Sequence, residues 1–361
     1  MTIDEMVKRH GSWLEAGVDE GPVVSSRIRL ARNVQEFSFP SWANEEEKQE
    51  VWTQVSAIFE AEEPSFARWN MAETPVLDKE ILFERHLVSQ ELALKEEASG
   101  VFVSPDECMS IMVNEEDHIR IQSLQSGLNL SKAWAAADRM DDVLERGLSY
   151  AFSSKLGYLT SCPSNVGTGL RASVMLHLPG LVLLEEMEPV INGISRIGLA
   201  VRGLWGEGTE AAGNMFQVSN QITLGRREDE IISHLEQIVL ELVEHENNAR
   251  IRLMNDRAMM VEDHVARALG ILSHARMISS SEALNLLSAL RLGLDLGLVE
   301  KLSRRELDML FIATQPAHLQ KIKQQHLTAD ERDVARANML RTFVKKIDPE
   351  TSGKNRGSND G

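Results

Sequence analysis

The period of the apolar positions changes along the chain. Within residues 22–224 short runs rich in β-formers alternate with two longer amphipathic stretches, whereas residues 229–347 repeat apolar side chains at helical spacing only. Over residues 45–60 and 131–152 the apolar positions recur three or four apart, the second stretch as Trp134, Ala137, Leu144, Leu148 and Ala151 with Ser131 placed to cap it, so both predict helices. Residues 101–104, 110–113, 118–124, 158–161, 197–204 and 215–224 read as strands. Short strands in succession, punctuated by Gly and Pro, favour an antiparallel sheet over a doubly wound parallel one. The expected fold class is therefore α+β: an antiparallel β-sheet flanked by helices over residues 1–228, followed by an all-helical domain over 229–347. In the second domain a long pattern from Asp229 into the His264 region precedes pieces divided near 279–281, Gly297 and Pro316, as in a bundle. The tail, 348–361, has no apolar anchor and is expected to be disordered.

At 361 residues the chain is long enough for two or three separately cored units. Its 43% hydrophobic and 26% charged residues are those of an ordinary globular protein. Thirty-eight basic against fifty-five acidic side chains give a formal net charge of -17, which repels nucleic acid and anionic lipid over most of the surface. Cationic partners are favoured, and any anion the protein binds must be held by a local cluster of arginines. The two cysteines, Cys108 and Cys162, exclude a disulfide framework, and the start MTIDEMVKRHGSW lacks a basic-then-apolar signal segment, so the cytoplasm is the expected location. The longest apolar stretch, 176–184, is broken by His177, Pro179 and Gly180 and is too short to span a membrane.

Four segments carry chemistry. In Ser25-Ser26-Arg27-Ile28-Arg29-Leu30-Ala31-Arg32-Asn33, Arg27 and Arg29 lie two apart, and on an extended segment they present two planar forks to one polyanion; a strand with an exposed charged face reads the same way. In Asn114-Glu115-Glu116-Asp117-His118-Ile119-Arg120 the acids make either a solvated turn or, with His118 and Arg120 alternating on a strand, a carboxylate and an arginine aimed into one cleft. The segment from Cys162 through Pro163, Asn165, Gly167 and Gly169 to Arg171 sets a cysteine at the head of a loop, where a nearby arginine would favour the thiolate; Cys108 has no such setting and reads as buried and inert. Around Glu207, three glycines in the six residues 203–208 make either a mobile loop that lets a ligand approach the backbone or a plain hairpin turn.

In order and spacing these segments resemble the phosphagen (ATP:guanidino) kinase family, the creatine and arginine kinases, from about residue 22 to the middle of the helical region. The strings NEEDHIR and CPSNVGTGLRASV are the most specific, and the nearest likeness is to the family's bacterial protein-arginine kinase branch. The resemblance implies that Ser26, Arg27, Arg29, Arg120, Arg171 and Arg202 bind nucleotide phosphates and that Glu116 and Glu207 flank the guanidinium. It also makes Cys162 the reactive cysteine and puts His86, in LFERHLVS, on the adenine side. Met175 stands where the small-molecule kinases usually place a second adenine-side histidine. Those kinases carry an extra N-terminal helical domain that closes over a free amino acid, whereas here the phosphate-arginine motif begins near residue 25.

The activity so implied is transfer of the ATP γ-phosphoryl group to arginine side chains of proteins, with Mg2+ held through the nucleotide phosphates and no metal site of the protein's own. Glu116 is the expected base, Glu207 its partner and Cys162 a further negative neighbour. A free-arginine kinase and a non-catalytic phosphoarginine reader are the alternatives. The resemblance further implies marking of proteins for Clp degradation in the stress response, with the McsA activator, the CtsR repressor and the ClpC unfoldase as partners, and a homodimer built by the helical extension. Within that extension, Arg332-Asp333-Val334-Ala335-Arg336-Ala337 matches the branch's RDxxRA motif, which assigns Arg332, Asp333 and Arg336 to an allosteric phosphoarginine pocket. The plainer reading is a capping box, Thr328 with Glu331, followed by a helical ion pair. No GxxxxGK[ST] loop occurs, and His245-Glu246 lacks the second histidine of a zinc-protease helix because position 249 is Ala249.

Overall fold

The computed structural model describes residues 1–9, 11–14, 21–203 and 212–347, except the side chains of 346 and 347. Two expectations, Glu207 and the tail 348–361, lie outside the described residues. The strands are β1 (Val23–Arg32), β2 (Ala67–Asn70), β3 (Gly100–Val103), β4 (Met109–Val113), β5 (Ile119–Ser126), β6 (Phe152–Ser153), β7 (Gly157–Tyr158), β8 (Leu170–His177), β9 (Leu199–Gly203) and β10 (Met215–Asn220). The helices are α1 (Ile3–Met6), α2 (Glu45–Glu62), α3 (Val76–Glu84), α4 (Gln90–Ala93), α5 (Leu130–Glu145), α6 (Pro179–Leu183), α7 (Met187–Arg196), α8 (Glu228–His274), α9 (Ser280–Asp295), α10 (Arg304–Ala313), α11 (Pro316–Lys323) and α12 (Ala329–Ile347).

Eight strands form one antiparallel sheet in the order β2-β3-β4-β5-β1-β8-β10-β9, as the antiparallel expectation required. The core lies on one face, where Ile28, Leu30, Ile121, Ala172 and Val174 meet Ala133, Ala137 and Leu144 of α5 and Val51, Val55 and Phe59 of α2. Helix α2 starts at a capping box, Asn44 with Glu47, which fixes its entry. Helix α5 differs from the expectation at both ends. Its N-cap is Asn129, not Ser131, and it stops at Glu145, because Tyr150 bridges to Val34 and Phe152 joins the small β6-β7 ribbon. The strand expected over 158–161 is reduced to Gly157–Tyr158 in that ribbon. The sheet also contains strands that the apolar alternation did not flag, β2 at one edge and β8 beside β1.

The all-helical second region is present, but its border falls inside a helix. Helix α8 has a kink at Arg257 (φ -140°, ψ 33°). Before it, Ile231, Ile232, Leu235, Val239, Leu242 and Ala249 pack into the sheet's core; after it, Val265, Ala268 and Leu272 pack with α9, α10 and α12. The apolar spacing is helical on both sides of the kink, so a boundary set by change of period at 228/229 comes one half-helix early. Among the described residues no helix is long and apolar enough to cross a membrane.

Candidate active site

The pairing register sorts the arginines. In β1, Arg29 lies opposite Gln122 and Arg171, Arg27 opposite Leu124 and Ser173, and Ala31 opposite Arg120. Across β10, Gln217 lies opposite both Met175 and Arg202. Opposed residues and alternate residues share a face, so Arg27, Arg29, Arg120, Arg171 and Arg202 all leave the sheet on the side away from α5. There a cleft of about 690 Å3 is lined by Arg29, Arg120, Arg171 and Arg202 together with Glu116 and Cys162. The structure thus brings together the separate arginine, acidic and cysteine motifs.

Polar neighbours hold this row in place. Arg27 Nη2 donates to Gln217 Oε1 at 2.5 Å and its Nε to Ser173 Oγ at 3.3 Å, while Arg171 Nη2 donates to Ser219 Oγ at 3.3 Å. Arg120 is clamped by two carboxylates, Glu115 Oε1 at 2.6 Å and Glu116 Oε2 at 2.9 Å. Among the described residues the buried Nε of Arg29 has no hydrogen-bond partner. Burial, then Arg171 and Arg120, push the Arg27 guanidinium down to about 10. Burial, followed by Arg27, Arg120 and Arg171, lowers Arg29 well below the usual guanidinium range. Cations crowded into a low-dielectric face are relieved by a polyanion, which is the charge pattern of a phosphate site.

The acidic turn resolves into three different roles. Asn114 takes a left-handed conformation (φ 55°) and anchors the turn by donating to the Lys48 and Ala98 carbonyls. Glu115 is buried. Burial alone would raise its pKa, but Arg120, Ser89 and the Glu116 amide outweigh that and hold it below the ordinary carboxylate value. Asp117 points away from the cleft and accepts from Asn33 Nδ2 and the Ser161 amide. His118 is also internal, accepting from the Val34 amide at Nδ1 and donating from Nε2 to the Ser38 carbonyl; burial lowers its pKa to about 4, so it stays neutral. Of the acids in this turn only Glu116 lines the cleft, and burial raises its pKa against the opposing pull of Arg120. A carboxylate so placed is suited to accept a proton.

The sequence of the chain matches two family profiles. One is the ATP:guanido phosphotransferase C-terminal catalytic domain, over residues 47–249, and the other the protein-arginine kinase McsB C-terminal domain, over residues 258–355. The chain belongs to the ATP:guanido phosphotransferase family. Similar curated relatives are a protein-arginine kinase of Symbiobacterium thermophilum, 48% identical over 94% of this chain and 98% of the relative, and one of Halothermothrix orenii, 44% identical over 95% and 99%. Among solved structures, lombricine kinase superposes with a TM-score of 0.57 at 26% identity, covering 66% of this chain and 69% of that one. The two profiles meet across residues 249–258, where α8 kinks.

Within this ATP:guanido phosphotransferase several expected residues take other positions. Ser26 lies on the core side of β1, fully buried, with its hydroxyl donating to the Gly127 carbonyl and accepting from the Asn129 amide, so it positions β1 and does not reach the cleft. His86 is set beside the far end of the arginine row in a left-handed conformation (φ 58°), edge-on to Trp13, and burial followed by Arg27 lowers its pKa to about 3. Cys162 lines the cleft at the head of a short turn, its Sγ 3.0 Å from Ser164 Oγ. Burial, then Asp106, push the Cys108 thiol up to about 12, which fits the inert role expected of it.

In the C-terminal motif, Arg336 is buried and donates to the Thr314 and Ile278 carbonyls and to Asp333, so this arginine ties helices together and offers no open fork. Arg332 and Asp333 remain partly exposed, and the Thr328–Glu331 capping box is formed. Sequence reasoning missed the cleft-lining Ser89, Glu91, Asn220 and Thr223. Asn220 sits at the end of β10, where a polar residue facing the neighbouring strand is the available signal: it donates to the Leu170 carbonyl and accepts from the Ala172 amide.

Proposed function

We propose that the chain transfers the γ-phosphoryl group of ATP to arginine side chains of proteins. The observation that carries this reading is the row of five arginines on one sheet face with Glu116 beside it. Arg27, Arg29, Arg120, Arg171 and Arg202 clamp the triphosphate and offset charge as the γ-phosphoryl loosens from ADP. Mg2+, which prefers phosphate oxygens and water, would be held through the nucleotide phosphates. When bound, it neutralises phosphate charge.

A guanidinium is a poor nucleophile, since its lone pairs are delocalised and its pKa exceeds about 12. Glu116 therefore orients the reacting nitrogen and takes its proton as the N–P bond forms, with Glu207 as the expected second carboxylate and Cys162 as a further neighbour. In the free protein Glu116 rests on Arg120, and an incoming guanidinium competes for the same oxygens. A net charge of -17 draws arginine-rich proteins toward the surface. A cytoplasmic setting, Arg332 and Asp333 as a phosphoarginine pocket, a homodimer, and the activator, repressor and unfoldase partners belong to this same reading.

The test incubates the protein with γ-labelled ATP and either free arginine or a basic protein and looks for acid-labile label. Label on the protein alone supports the reading, label on free arginine points to a metabolic kinase, and no label leaves a phosphoarginine reader. Because burial raises Glu116, the acid limb of kcat/KM should lie above the ordinary carboxylate range, with activity lost as pH falls through it. Glu116→Gln should remove that limb and lower kcat by about 10²–10⁴-fold while leaving ATP binding intact.

A further inference from the structure

Beyond the arginine row, on the same sheet face, a second cavity opens between the sheet and the helical region. Ser25, Met175, Trp13 and His86 line it from one side, and Asp308 and Phe311 of α10 from the other. Its volume of about 40 Å3 admits the edge of a planar ring, not a whole nucleotide. Ser25 stands two residues before Arg27 on β1, about 7 Å along the strand. A nucleotide whose phosphates rest on Arg27 and Arg29 therefore reaches this cavity with its base, a ribose-length away.

The chemistry of the cavity lies on its helical side. Asp308 is buried beside the fully buried Arg291, with Arg291 Nη1 3.3 Å from Asp308 Oδ1. Yet among the described residues Asp308 Oδ1 accepts no hydrogen bond, and Arg291 Nε and Nη2 donate none. A buried carboxylate oxygen left without a donor costs free energy that a ligand's N–H recovers. The other cavity walls named above are mostly apolar or aromatic, so a flat heterocycle with one N–H donor on its edge is the complementary shape.

We propose that Asp308 reads the base of the nucleotide by accepting a hydrogen bond from the 6-amino group of adenine, so that the helical region selects ATP over 6-oxopurine nucleotides. The proposal rests on ATP being the phosphoryl donor as argued above. An inosine or guanine base turns an oxygen toward the carboxylate, setting acceptor against acceptor and leaving both without a proton. Burial raises the Asp308 carboxyl against the pull of Arg291, and an amine at Oδ1 adds to Arg291 in favouring the ionised form. The base pocket is then completed by both regions of the chain, and this helix-borne acceptor contributes where Met175 offers no imidazole.

Equilibrium binding by calorimetry reads the pocket whether or not phosphoryl transfer is observed. The full chain with Mg2+ is titrated with ATP, ITP and N6,N6-dimethyl-ATP, which has no 6-amino donor. The wild type should bind ATP at least about tenfold more tightly than either analogue. Asp308→Asn, whose amide can donate to a 6-oxo group, should compress the ATP/ITP ratio to within about threefold, while a merely structural Asp308 would shift all three nucleotides alike. Equal wild-type affinity for ATP and the dimethyl analogue overturns the proposal without any variant, as does an unchanged ATP/ITP ratio in folded Asp308→Asn. Loss of ATP binding altogether in the wild type would instead strike at the kinase reading.

Discussion

Two populations of buried and half-buried arginine occupy this chain, and they are built on opposite principles. In the cleft, the main electrostatic neighbours that shift Arg27 and Arg29 are other arginines, and both guanidinium groups are held below their usual pKa. At the junction of α8, α9 and α10 the arginines are matched to acids: Arg250 with Glu246 at 2.6 Å and Asp295 at 2.8 Å, Arg304 with Asp295, and Arg291 with Asp308. The Arg250 and Arg304 pairs are neutral as built and ask nothing of a ligand, whereas the Arg291–Asp308 pair leaves one acceptor over. The crowded set is unbalanced until a polyanion arrives, so free energy withheld from folding becomes available for binding and for the transition state. A buried arginine is thus informative about function only through what faces it.

The comparison breaks most visibly at Arg29. Arg29→Ala should cut phosphoryl transfer by about 10³-fold or more, the scale of an arginine that offsets charge on a transferring phosphoryl group. The same change should leave the melting temperature unchanged or raised, since it relieves repulsion. Steady-state kinetics and calorimetry on one preparation give both readings. A large stability loss with near-normal turnover would put Arg29 in the matched class.

Arg250→Ala is the converse. Glu246 is buried, accepts from the Gly180 and Leu181 amides at the start of α6, and relies on Arg250 for its counter-charge. Breaking such a buried pair should lower unfolding free energy by about 3–5 kcal/mol, with kcat per folded molecule retained. Denaturant titration and active-fraction kinetics check it. Unaltered stability would mean that the matched set contributes little to holding the regions together.

Ligand linkage sharpens the contrast without touching the matched set. At about 100 times its Kd, MgATP should stabilise the protein by about 2.7 kcal/mol, and Arg29→Ala should lose most of this at the same nucleotide concentration. Raising salt should weaken the nucleotide effect more than it weakens the Arg250 pairs, which lie out of solvent. Melting curves with and without nucleotide at two ionic strengths decide the point.

The cleft side of this contrast is legible in the sequence, though unevenly. Arg27 and Arg29 two apart, and Glu116 with Arg120 four apart, carry their geometry in their spacing, because a strand has a two-residue period and a tight turn brings its ends together. What β1 pairs with was not legible. That Arg171 and Arg202 lie on the same face as Arg29 depends on β8 and β10, set by register over long sequence separation. Ser26 and Arg27 leave β1 on opposite faces, because one residue earlier on a strand is the opposite face. The helix kink at Arg257 escaped because neither Pro nor Gly marks it and the apolar period continues through. Asp308 carries no motif at all, and only the cavity it lines and the bond it lacks reveal it.

The smallest expected effect belongs to the motif that lies between the two classes. Arg332 donates to the Leu327 carbonyl at 3.2 Å and stays partly exposed, while Asp333 is bound by Arg336. Removing Asp333 takes one of the partners of Arg336, but the Thr314 and Ile278 carbonyls at 2.8 Å and 2.7 Å remain, so this guanidinium is not stranded as Glu246 would be. The paired change Arg332→Ala and Asp333→Ala should therefore cost only about 1 kcal/mol of stability, nearer a partly exposed ion pair than a buried one. If the two residues form a phosphoarginine pocket, Arg332 forks the phosphoryl group and Asp333 receives the guanidino N–H donors, so the same variant should abolish binding of free phosphoarginine measured by calorimetry with the catalytic cleft blocked by MgADP. A loss of several kcal/mol in stability would place Asp333 in the matched, structural set with Arg336. Unchanged phosphoarginine affinity in a folded variant would remove the pocket and leave the motif as a capped helix start.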